Sequence, residues 1–90
     1  MAEIRNWSFK DLSSFLKDYG FICENIEGSH HYYVGRIEGK DRLVQAILSV
    51  KERDSQSLKT MKLAIRHSGI PKGHFNEWRN RRAIHKEIIG

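Results

Sequence analysis

FICENIEGSHHYYVGRIEGKDRLVQAILSV, residues 21–50, holds three apolar-rich runs separated by two turn signals. The first run, residues 21–27, stops at Gly28-Ser29. The second, His30 to Ile37, is rich in Tyr and Val, and a turn at Glu38-Gly39-Lys40-Asp41 leads to the third, Arg42 to Val50. Runs of this length and composition, punctuated by Gly-containing turns, predict strands. Connections this short cannot hold a crossover, so successive strands must be antiparallel neighbours in a meander.

Helices are expected on both sides of that meander. Ser8 and Asp11 form an S-x-x-D capping box, with Trp7 and Leu12 placed for a hydrophobic staple around it. Phe9, Leu12, Phe15, Leu16 and Tyr19 then fall on one helical face, and Gly20 with Phe21 suits a Schellman ending. After the polar residues 51–57, the residues Leu58, Met61, Ala64 and Ile65 form the stripe of a second helix, closed by Gly69-Ile70-Pro71. A third helix, of weaker periodicity, is expected from His74 to about Ile88. The order predicts an α+β fold, a two-layer sandwich with two helices on one face of a three-stranded antiparallel sheet and an additional C-terminal helix. The opposite sheet face is left to water or to a ligand.

Ninety residues make one domain, 1–90, and bury only roughly 60 % of the surface of the unfolded chain. A deep substrate cavity is therefore excluded, and any chemistry belongs on a face or in a shallow groove. One cysteine, Cys23, rules out an internal disulfide and fits a reducing compartment. Its place in a strand predicts a small buried hydrophobe. No stretch is apolar enough to span a bilayer, and the first residues lack the core of a signal peptide, so a cytoplasmic protein is expected. Charge is uneven: residues 1–40 carry five basic and six acidic side chains, residues 41–90 eleven and five. The second half, at +6, suits a polyanion, although a solvated basic surface gives the same count.

The chemistry-bearing cluster is Gly28-Ser29-His30-His31-Tyr32-Tyr33. Strand alternation sends His30 and His31 to opposite faces. A neutral imidazole takes a proton from a ribose 2′-hydroxyl, which then attacks the neighbouring phosphate without a metal. Two strand histidines packed on tyrosines account for the same spacing. Tyr32 or Tyr33 suits stacking on a base, and one of the two is expected in the core. Lys59, Lys62 and Arg66 form a basic stripe on the second long helix, suited to phosphates or simply solvated. The remaining histidines, His67, His74 and His85, lack metal-ligand spacing, and no glycine-rich phosphate loop is present, so neither a metal nor a cofactor is expected.

Taken together, Lys10-Asp11-Leu12, Leu16-x-x-Tyr19-Gly20-Phe21, Gly28-Ser29-His30-His31-Tyr32-Tyr33 and the helix from Leu58 to Ile70 resemble the HicA (YcfA-like) toxin family over residues 8–71. The resemblance implies a fold like the double-stranded-RNA-binding domain (dsRBD-like, α-β-β-β-α), with residues 72–90 as a C-terminal extension. It implies a metal-independent endoribonuclease acting on mRNA, an mRNA interferase, paired with a HicB-type antitoxin. His30, after the Gly-Ser pair, matches the family's essential histidine, with His31 in reserve. Many members carry a proline and a histidine after the third strand, where this chain has Ser49-Val50-Lys51. The expected RNA-binding residues are Ser29, Tyr32, Lys51, Lys59, Lys62 and Arg66. A non-catalytic RNA-binding module of the same fold and a protein that only docks another chain are the competing readings.

Overall fold

A computed structural model describes residues 6–48, 51 and 55–89. The order is α1 (Phe9–Asp18), β1 (Ile22–Glu27), β2 (His30–Ile37), β3 (Lys40–Ile47), α2 (Leu58–Ser68) and α3 (Lys72–Ile89). The strands form one antiparallel sheet in the order β1-β2-β3, giving an α+β arrangement of one helix, three strands and two further helices.

Local sequence chemistry sets the ends of these elements. The Ser8 hydroxyl accepts the Asp11 N–H at 3.0 Å while the Asp11 carboxylate accepts the Ser8 N–H at 3.2 Å, so two donors at the start of α1 are satisfied reciprocally. At its other end the Gly20 N–H donates to the Lys17 carbonyl and the Phe21 N–H to the Leu16 carbonyl, at 3.0 and 2.9 Å, which is the Schellman pattern. Gly28 has φ +60°, the first-position geometry of a type II′ hairpin turn. Glu38 and Gly39 both have positive φ, as a two-residue type I′ turn requires. That tight turn starts β3 at Lys40, two residues before the expected Arg42. The strand ends at Ile47, and the expected terminal Ser49-Val50 lies outside the described residues.

Tyr33, Val44 and Ala46 point inward and are buried with Trp7, Phe9, Leu12, Phe15 and Leu16 around α1, with Met61 and Ala64 of α2, and with Ile70. Gly35 shares the inward side of β2. A Cβ there would stand 2.6 Å from the buried Phe21 ring, so this position admits no side chain without displacing the core. Gln56 is buried at the free edge of β3, accepting from the Ile47 N–H at 2.8 Å and donating to the Ile47 carbonyl at 2.6 Å. Its amide stands in for the backbone of a fourth strand and anchors the segment that leads into α2.

Two expectations need correction. Cys23 is exposed, not buried. All six residues of β1 are exposed, because the helices cover β2 and β3 and leave this edge strand bare. The last helix also begins earlier than His74, at Lys72, and its first turns are part of the core. Phe75 is fully buried, its ring 4.0 Å from Phe15 and 5.6 Å from Trp7, and the Trp78 indole N–H donates to Asp18 at 2.6 Å. Burying an aromatic ring beside two others explains why a helix of weak periodicity docks at all.

Phe75→Ala is expected to lower unfolding stability by about 3–5 kcal/mol, the usual result of emptying an aromatic site. Urea denaturation followed by circular dichroism measures it; a loss below about 1 kcal/mol would show α3 to be an appendage.

Candidate functional site

The Gly28-Ser29 turn places His30 as the first residue of β2. The period of two along the strand is set by Tyr33, which is buried, so His31 shares its inward side and His30 lies on the open face. His31 is half-buried, its ring 4.8 Å from Phe9 in an edge-on contact. His30 is exposed and sits opposite Glu27 of β1 and Ile47 of β3. Its ring lies nearly parallel to that of Tyr32, 18° apart with centroids 6.4 Å apart.

One side chain holds this imidazole. The Gln45 amide, with its Nε2 the nearer atom, hydrogen-bonds to Nδ1 of His30. Gln45 faces Tyr32 directly across the β2–β3 pair, which makes His30 its diagonal neighbour, within reach of a long side chain. With Nδ1 engaged, Nε2 is the ring nitrogen left for another partner.

Gln45 also lines a small cleft of about 60 Å³ with Ile47 of β3 and Thr60, Leu63, Ala64 and His67 of α2. A space of that size suits a water or a small group, not a whole nucleotide. Anything larger would have to lie across the open face. His67, which sequence spacing left without a role, therefore stands on the far wall of the cleft that Gln45 shares. No local pattern marks Gln45 or His67, because both reach the site through β3 pairing and helix docking. Only the alternation along β3, with Val44 and Ala46 inward, signals that Gln45 faces outward.

The other expected contacts are scattered. Ser29 is half-buried in the turn, and its carbonyl accepts the Leu48 N–H at 2.8 Å. Tyr32 is half-buried beside His30. Lys51 is exposed beyond the end of β3. Lys59, Lys62 and Arg66 are exposed on α2, and at about 100° per residue they sit roughly a quarter-turn from Leu63 and His67. The stripe adjoins the cleft wall without entering it. Among the described residues no three His, Cys, Asp or Glu side chains gather as a metal site would need, and no helix is long and apolar enough to cross a membrane.

The chain matches no protein-family model, no curated protein and no solved structure.

The two adjacent histidines should respond differently to truncation. His31→Ala removes a half-buried ring packed on Phe9 and is expected to cost about 1 kcal/mol, whereas His30→Ala should stay within about 0.5 kcal/mol of wild type. Paired denaturation curves check this; equal losses would contradict the assignment of faces.

Proposed function

We propose that the protein is a metal-independent endoribonuclease acting on mRNA, the toxin of a type II toxin–antitoxin pair similar to the HicA family, with a dsRBD-like fold. One observation carries the reading: His30, following Gly28-Ser29, is exposed on an open sheet face with Nδ1 held by Gln45 and Nε2 left for a substrate. A base in such a position takes the proton of a ribose 2′-hydroxyl. The 2′-oxygen then bonds to the adjacent phosphorus, the bond from phosphorus to the 5′-oxygen breaks, and the departing oxygen takes a proton from the imidazolium. The products are a 2′,3′-cyclic phosphate and a 5′-hydroxyl, so neither metal nor water is consumed in this step.

Tyr32, half-buried at one side of His30, offers a ring for a base to stack on. Lys51, Lys59, Lys62 and Arg66 supply cations for the flanking phosphates, with Ser29 at the turn. Ile22 and Leu43 leave 62 % and 54 % of their surface exposed, apolar area that a HicB-type antitoxin docked beside His30 would cover. The cytoplasm, where mRNA is translated, is the compartment this activity requires.

A second reading has its own support. Because the α2 stripe lies outside the cleft that Gln45 lines, a non-catalytic RNA-binding module of the same fold needs only the stripe and Tyr32.

Incubating purified wild type, His30→Ala and His31→Ala with end-labelled RNA in EDTA separates the readings. Cleavage to cyclic-phosphate ends is expected, slowed about 10²–10⁴-fold by His30→Ala and retained by His31→Ala. Intact RNA, bound with an affinity that falls steeply as salt rises, would leave the binding module. Neither cleavage nor salt-dependent binding would leave a docking protein.

A further inference from the structure

We propose that Gln45 is the positioning residue of the His30 base, its amide oxygen accepting the Nδ1 proton so that the Nε2 lone pair faces the substrate. The inference rests on the ribonuclease reading and adds the group that makes His30 competent in it.

A neutral imidazole carries one proton, and the partner of one ring nitrogen decides which nitrogen holds it. Free histidine in water favours the proton on Nε2. In that form the lone pair would sit on Nδ1, underneath Gln45, and the outward nitrogen would be a donor unable to accept a hydroxyl proton. In the structure the Gln45 amide nitrogen is the atom at Nδ1; a half-turn of the last torsion, which leaves the outline of the side chain unchanged, brings the oxygen there instead. Only the oxygen-first arrangement gives a base at Nε2, and it also places a partial negative charge beside the imidazolium that forms as the proton arrives.

The surroundings keep the amide group beside Nδ1. Gln45 lies between the buried Val44 and Ala46, so its backbone is tied into the core on both sides. The residue is half-buried and lines the cleft together with Ile47, Leu63 and Ala64. Tyr32 flanks the His30 ring from the same strand, the two rings nearly parallel. The arrangement repeats the base–orienter logic of other catalytic imidazoles, with a neutral amide in the orienting role. Among the described residues, the charged and titratable groups around His30 include Glu27, opposite on β1, Tyr32 on its own strand, and His67 across the cleft from Gln45.

The test reads the tautomer directly. Nitrogen-15 NMR of the imidazole ring, above the pH at which His30 loses its charge, is expected to show the proton on Nδ1 in wild type. In Gln45→Leu it should move to Nε2. In Gln45→Glu it should stay on Nδ1, because a carboxylate oxygen accepts the proton as the amide oxygen does. For RNA cleavage, Gln45→Leu should lower kcat roughly tenfold or more with KM little changed, and Gln45→Glu, which keeps an acceptor at Nδ1, should retain most of the rate. Backbone amide spectra of each variant verify the fold. A wild-type proton on Nε2, or a tautomer unchanged in Gln45→Leu, overturns the proposal. Intact RNA with wild type sinks the ribonuclease reading instead, whereas the NMR result separately decides whether Gln45 orients the ring.

Discussion

The site depends on the period of two in β2, anchored by a single buried ring. Tyr33 lies under the helices at 3 % exposure, and every other position of the strand is assigned by it. His31 is carried inward to Phe9, Gly35 to a place where only a hydrogen fits beneath Phe21, and His30 with Tyr32 outward. A slip of one residue would expose Tyr33, bury His30 and drive Val34 or Arg36 against the Phe21 ring. The register against β3 is continuous from His30↔Ile47 to Ile37↔Lys40, closed by the two-residue turn, so β3 has no freedom to slip independently. Gln45 reaches His30 because of that same register.

The helices impose the second constraint. Two helices and the start of a third pack over β2 and β3, which leaves β1 exposed along its length, with a bulge between Cys23 and Asn25. A strand outside the core is held by its ladder alone, and its side chains are available to a partner. Glu24 and Glu27 make this edge acidic in a chain of net charge +5, so its positive charge lies elsewhere, with Lys59, Lys62 and Arg66 of α2. Gln56 keeps that side intact by satisfying the backbone of Ile47, where β3 would otherwise present unpaired groups beside the site.

Much of the scaffold was legible from local chemistry. The capping box, the Schellman ending, the Gly28-Ser29 turn and the span of β2 all depend on residues within a few positions of each other. The opposite facing of His30 and His31 followed from alternation alone. The burial of Cys23 was misjudged because a strand pattern does not reveal whether helices cover that strand. Phe75 was unremarkable in a weakly periodic helix, and its weight comes from Trp7 and Phe15, some 60 or more residues earlier in the chain. The α2 basic stripe was readable as a stripe, while its angle to the cleft was not.

By itself, then, the sequence determined the identity and order of the elements, the turn between β1 and β2, and the presence of one inward and one outward histidine. Each of these is decided by backbone preferences and side-chain periodicity over short distances. The tertiary structure decided which histidine is outward, which nitrogen is engaged, and what stands around it. Those facts require Tyr33 to be buried, β3 to pair in one register and α2 to dock along its edge. Gln45 lies 15 positions from His30 and His67 a further 22, and only packing brings Gln45 to the imidazole and His67 to the wall of the same cleft.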